Sequence, residues 1–237
     1  MTVMSGTYRA FDVDDVDLFD LAGALHLDRV QLVAVLERTR SPHPTGSPSF
    51  PLSTLPCGAT PTLELRRPVH LLADLLTMAE HARRPLDRIS VCYVGDGQAD
   101  IARSLLLAGA LLGMDVRIAA PAAMWPPEEV IAAAQDLAAE SGASLLITPD
   151  AGHGVLGAMY VIAGAWAHGN VLAGGGSTPP AYLVTEDFLA TSGLPATQAL
   201  EGPAVDFAPK VPRTLQPVQI ANRRRVMAAA LSAWIPA

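Results

Sequence analysis

The sequence predicts an α/β domain, a parallel sheet flanked by helices, on three observations. Short apolar or β-branched runs recur from Pro68 onward, at residues 89–94, 116–119 and 145–148. Stretches of helical length and helical periodicity separate them, and a glycine turn, Gly95-Asp96-Gly97, follows the first run. Strand, crossover helix and strand make a βαβ unit, and such a unit requires parallel strands.

The elements follow in order. Residues 11–40 carry an amphipathic helical pattern in Val16, Leu18, Phe19, Leu21 and Leu25, then the apolar run 32–36, which predicts a helix and a strand. Residues 41–61 hold six prolines and two glycines, a composition that opposes regular helices and ladders, so a linker or extended loop is expected there. Leu71, Leu72, Leu75, Leu76 and Met78 share one helical face, and residues 89–94 then read as a buried strand. After the glycine turn a helix is expected over about 100–112 and a strand over 116–119. Pro126 and Pro127 open the next helix, to about 140, with Glu128 and Glu129 in its first turn, where negative charge suits the helix dipole. A strand over 145–148, another over 158–163, a glycine-rich loop over 169–180 and a last helix over 218–234 complete the reading. Internal repeats and sustained heptads are absent.

Composition narrows the function classes. With 237 residues, 50% hydrophobic and 16% charged, the chain can bury a full core. Lys and Arg number 16 against 23 Asp and Glu, a formal charge of -7 that argues against a nucleic-acid partner. The apolar stretch 105–114 is too short to cross a bilayer, and the acidic start lacks the pattern of a secretory signal. Two cysteines, Cys57 and Cys92, make neither a disulfide framework nor a metal cluster, and they fit a reducing cytoplasm. No membrane partner, metal or cofactor is expected.

The turn Tyr93-Val94-Gly95-Asp96-Gly97 is the first candidate site. Backbone N–H groups at a helix start point into the crevice beyond the strand ends, where open α/β sheets bind ligands. A dinucleotide fingerprint would need a third glycine where Asp100 stands and an acid closing the next strand, whereas Asp115 precedes that strand. Alternatively, the glycines serve the turn alone.

The wording Ala-Asp-Leu-Leu-Thr (73–77), Val-Gly-Asp-Gly (94–97), residues 102–119, Tyr182 to Ala190 and residues 219–231 resembles the second half of the ornithine and aspartate carbamoyltransferases. The resemblance covers about two thirds of the chain. It implies two α/β domains, one for carbamoyl phosphate and one for the amino acid, assembled as trimers. Here residues 1–40 read as a remnant of the first domain, 41–66 as a Pro-rich linker, and 67–237 as the carbamoyltransferase-like α/β domain. Only 26 residues separate Arg40 from Arg67, far fewer than the first domain needs.

Departures from the family pattern carry the functional reading. Where the family holds the carbamoyl group with His-Pro-Cys-Gln, this chain has Arg67-Pro68-Val69-His70. Arg67 can polarise an oxyanion and His70 can act as acid or base; otherwise both face solvent at a helix start. The family's asparagine pair after the glycine turn becomes Ala99-Asp100, which moves preference away from a substrate carboxylate; Asp100 as a helix N-cap is the plain alternative. Gly164 and His168 replace the aspartate and serine that grip the ornithine amines, and the His-Cys-Leu-Pro signature falls near Ser192-Gly193-Leu194-Pro195, without its cysteine. Leu36-Glu37-Arg38-Thr39-Arg40 stands for the phosphate loop, leaving Arg38 and Thr39 as anion ligands. Arg223 matches the family arginine at the carbamoyl end of the ligand.

The resemblance implies a divergent, truncated enzyme acting on a small molecule, and the Ala- and Pro-rich composition suggests a place in specialised metabolism. His70, Asp100 and Arg223 would be catalytic; Arg38, Thr39 and Arg67 would bind an anion; Gly95, Asp96, Gly97 and His168 would line the substrate site. Ordinary ornithine carbamoylation is not expected, whereas a homo-oligomer, dimer or trimer, is. The alternative is a non-catalytic binding or assembly subunit, because loss of half a domain uncovers apolar surface.

Overall fold

The computed structural model describes residues 49–51, 64–66, 68–164, 166, 180–201 and 213–234. Helix α1 (Pro68–Ala82) forms because Leu71, Leu72, Leu75, Leu76, Met78 and Ala79 recur at helical spacing, and all are buried. It ends where Arg83 turns into the left-handed region, φ 51°, ahead of Arg84-Pro85. A 3-10 turn, Leu86–Arg88, then reverses the chain into strand β3 (Ser90–Val94).

The expected βαβ pattern holds: α2 (Asp100–Leu111), β4 (Asp115–Ala119), α3 (Glu128–Ser141) and β5 (Ser144–Thr148) follow in turn. Helix α3 starts after Pro127, has Glu128 and Glu129 in its first turn and stops at Gly142, whose φ of 79° favours glycine. The short helix α4 (Ala151–Val155) leads to β6 (Tyr160–Ala163), two residues shorter than the sequence suggested. Helix α5 (Glu186–Ala190), capped by the Thr185 hydroxyl accepting from Phe188 N, precedes β7 (Gln198–Glu201). The last helix, α6 (Gln216–Trp234), begins two residues earlier than expected, with Pro217 in its first turn.

The five strands are parallel in the order β5-β4-β3-β6-β7, with Val91 opposite both Val116 and Tyr160. Central β3 is covered on both faces. Val91 and Tyr93 join the core under α1, α2 and α3, while Cys92 and Val94 join a smaller core with Ala151, Val155, Tyr182 and Leu189. Burial pushes the Cys92 thiol up to about 12, as suits a packed, unreactive side chain.

Two expectations are corrected. Residues 49–51, inside the proline-rich stretch, form strand β1 (Ser49–Pro51), paired antiparallel with β2 (Glu64–Arg66). A three-residue ladder tolerates proline where its missing N–H is not required. Asp100 is not an N-cap: Ala99 holds that position without a side-chain bond, and Asp100 is the first helical residue, where its charge still suits the dipole. The helix and strand expected over 11–40 and the glycine-rich loop up to residue 179 lie outside the described residues.

Candidate functional site

The strand order places the site. From β3 the chain builds outward through β4 and β5, then returns to the other side of β3 for β6 and β7. The order therefore switches between β3 and β6, and open α/β sheets bind ligands beyond the carboxyl ends of the two strands at such a switch. Here those ends are Val94-Gly95 and Ala163-Gly164, joined by Gly164 N donating to Val94 O at 2.8 Å.

The crevice floor is closely packed. A Cβ on Gly164 would stand 2.2 Å from both Cζ and the hydroxyl oxygen of Tyr93, and one on Gly95 would stand 2.9 Å from Gly164 Cα. The Tyr93 ring thus fills the space that a side chain at 164 would need. Tyr93 is fully buried, and among the described residues its hydroxyl has no hydrogen-bond partner. Burial, with the Asp96 charge nearby, pushes the phenol above its ordinary range.

Of the turn residues, Gly97 packs against the backbone, since a Cβ there would lie 2.6 Å from Met124 O. Asp96 is 1% exposed, and its Oδ1 accepts from Gln98 N at 2.8 Å, which shapes the turn into α2. Asp100 is half-buried at the helix start beyond it.

A second group of polar residues lies where α1 meets α6. Helix α1 runs antiparallel to β3: its last turn carries His81, 3.0 Å from the Tyr160 hydroxyl at the start of β6. Its first turn, with half-buried His70, therefore lies toward the crevice end of the sheet. Gln219 Nε2 donates to Asp74 Oδ1 at 2.7 Å, Asn222 Nδ2 donates to Thr77 Oγ1 at 3.1 Å and Glu80 Oε2 at 3.0 Å, and Arg225 Nη1 donates to Glu80 Oε1 at 2.6 Å. Each of the pairs 74/219, 77/222 and 80/225 is separated by 145 residues, so the two helices run in the same direction.

Arg223 stands at this seam, its Nη2 4.0 Å from Asp74 Oδ1. Arg224 is exposed and Arg225 is turned to Glu80, so one of the three adjacent arginines takes the inward position. Asp74, one turn along α1 from His70, escaped sequence reasoning. Burial raises its carboxyl to about 7 against the pull of the Gln219 bond and the Arg223 charge. An acid amid Leu71, Leu72, Leu75 and Leu76 on a helix was the available signal.

Ser192 to Pro195 sit before β7, at the far end of the sheet from the crevice, so they do not line the candidate site. Ser192 and Thr197 share a 2.7 Å hydroxyl contact and Thr197 Oγ1 donates to Ala158 O, so these residues build a turn. The crevice end of β7 is Glu201. Arg38, Thr39, Arg67 and His168 lie outside the described residues. Among the described residues, no three His, Cys, Asp or Glu side chains converge as a metal site, and no helix is long and apolar enough to cross a membrane.

Residues 87–191 match the family model described as aspartate/ornithine carbamoyltransferase, Asp/Orn binding domain. An ornithine carbamoyltransferase of Neisseria animalis is 48% identical over 99 residues, 42% of this chain and 43% of that protein. One of Neisseria polysaccharea is 46% identical over 99 residues, 38% of its length. The match thus spans less than half the length of these curated relatives. Solved ornithine carbamoyltransferases of Gloeobacter violaceus and Pyrococcus furiosus superpose with TM-scores of 0.61, at 28% and 29% identity, over 71% and 70% of this chain and 58% and 55% of theirs.

Proposed function

We propose that this chain, which carries the Asp/Orn-binding domain of the aspartate/ornithine carbamoyltransferase family, is a divergent enzyme of that family acting on a small molecule other than ornithine. The observation that carries this reading is the Tyr93 ring against Gly164. The residue that the family pattern assigns to gripping the ornithine amines has no side chain here, and the ring occupies the room one would need. The buried ring leaves no carboxylate at this point to attract an ammonium group.

Around that floor the roles divide by charge. Arg223, with Arg67, Arg38 and Thr39, takes an anionic group; the start of α2, led by Gly95, Asp96 and Gly97, bounds the substrate; His70 and Asp100 move protons. His168 completes the substrate side. A cytoplasmic homo-oligomer in specialised metabolism is the setting that fits this reading.

The experiment is incubation with carbamoyl phosphate and ornithine, with thermal unfolding in carbamoyl phosphate or phosphate alongside. No carbamoylated ornithine is expected, and the anions should raise the melting temperature in the wild type and not in Arg38→Ala or Arg223→Ala. Brisk carbamoylation of ornithine would overturn the reading. A second reading, a partner-binding subunit, draws on the exposed Leu156, Val218 and Ile220; a monodisperse monomer in gel filtration with light scattering counts against it.

A further inference from the structure

The amino ends of β6 and β7 open onto a cleft of about 340 Å³ that the substrate reading leaves unused. One wall is the end of α1, with His81 and Arg84; the other is the turn before β7, with Leu194 and Pro195; Met159 and Tyr160, where β6 starts, lie between them. Four steps along β6, about 13 Å of strand, separate Tyr160 from Gly164, so the cleft and the crevice lie at opposite ends of the sheet. The volume falls in the range of small-ligand sites.

Tyr160 sets the polar chemistry of the cleft. Its side chain is 1% exposed, and its hydroxyl gives its one hydrogen to Met78 O at 3.1 Å. His81 Nδ1, 3.0 Å from the same oxygen, is then the donor, which selects the tautomer with hydrogen on Nδ1 and leaves Nε2 as the nitrogen turned away from Tyr160. Arg84 is exposed and forms no ion pair among the described residues, and no carboxylate lines the cleft. Glu80, beside His81 in sequence, is turned to Asn222 and Arg225. Burial pushes the Tyr160 phenol up to about 12 and the Arg84 charge works against that shift, which places the guanidinium near Tyr160. In a chain of net charge -7, a cationic corner without a counter-ion is a place for an anion.

The walls are fixed by the protein itself. Thr197 Oγ1 donates to Ala158 O at 2.9 Å, Leu194 N donates to Ser192 Oγ at 3.1 Å, and Arg213 Nη1 donates to Pro195 O at 3.2 Å. Arg83, with φ 51°, ends α1 next to Arg84, and Arg213, which holds Pro195, has φ 52°. These are the non-glycine residues in the left-handed region among the described residues, and each stands against a lining residue. Backbone held there costs energy and gathers where the geometry has a use. We propose that this cleft binds a small carboxylate with an apolar body, the carboxylate on Arg84 and the body against Met159, Leu194 and Pro195. A carboxylate alone gains little at an exposed guanidinium, and an apolar body alone leaves the charge unused; joined in one molecule, the two contacts add. The assignment is independent of what the crevice binds.

Benzoate is the probe, because acetate carries only its charge and benzyl alcohol only its body. Ligand-observed NMR titrations on the full chain should show benzoate binding at millimolar concentration, with acetate and benzyl alcohol each about tenfold weaker or more. Arg84→Gln should weaken benzoate about fivefold, whereas Arg88→Gln, at an exposed arginine outside the cleft, makes the same change of net charge and should leave it unaltered. Leu194→Asp removes apolar wall and adds a like charge, and should abolish detectable binding. The side chains replaced are exposed, so the fold tolerates the changes. Absence of benzoate binding, equal affinity for benzyl alcohol, or an unchanged benzoate affinity in either Arg84→Gln or Leu194→Asp overturns the proposal. None of these titrations uses carbamoyl phosphate, so their failure leaves the reading of the crevice standing.

Discussion

The crevice floor and the α1–α6 seam hold their residues in place by different physics. At the floor, Tyr93, Gly95 and Gly164 fit by shape: a ring fills space that two glycines leave open. At the seam, Asp74, Thr77 and Glu80 meet Gln219, Asn222, Arg223 and Arg225 through hydrogen bonds and charge. Shape complementarity is insensitive to pH and intolerant of added atoms, whereas a buried polar seam is intolerant of a lost partner and responds to protons. The difference teaches where to expect selectivity and where regulation: the first at the floor, the second at the seam.

The largest expected effect sharpens the seam. The Asp74 carboxyl titrates near 4 in the unfolded chain and at about 7 in the folded one, so the native state binds the extra proton between those values. Its stabilising contribution is complete below pH 4 and disappears as pH rises through 7, a change of up to about 4 kcal/mol. Urea unfolding at pH 4.5, 6 and 8 should show that decline in the difference between the wild type and Asp74→Asn. A difference that does not change with pH would place the titration elsewhere.

Gly164→Asp tests the floor. Its Cβ overlaps the Tyr93 ring, so a loss of about 3 kcal/mol is expected, and Tyr93→Ala in the same chain should recover part of it. Strict additivity in that double-mutant cycle would mean that ring and backbone are not in competition.

Smaller effects separate the buried seam from its exposed end. Asn222, 2% exposed, donates to both Thr77 and Glu80, and Asn222→Ala should cost about 1.5 kcal/mol in urea unfolding. Arg225→Ala removes a partly exposed pair with Glu80, and about 0.5 kcal/mol or less is expected, shrinking further in high salt. Equal losses in the two variants would erase the distinction between interior and rim.

Much of the fold was legible because its signals are local. The leucines of α1, the β-branched run of β3 and the paired prolines and glutamates before α3 each specify an element through neighbours a few residues away. Strand β7 was not legible: Gln-Ala-Leu-Glu has little strand propensity and is held by pairing with β6. The β1–β2 ladder was hidden by Pro51 and the proline-rich wording around it. Of the residues proposed for the site, Gly95, Asp96, Gly97, Asp100, His70 and Arg223 were read from their position in a motif. Asp74 was missed because its significance depends on α6, 145 residues away.

By itself the sequence determined the α/β class and the parallel βαβ order, since periodicity and turn chemistry act over short stretches of chain. Tertiary structure alone decided that Tyr93 takes the room beside Gly164, that Ser192 to Pro195 lie at the far end of the sheet, and that Arg223 rather than Arg224 or Arg225 faces a buried acid. Those outcomes depend on which atoms meet across distant segments, where packing and desolvation set the energies.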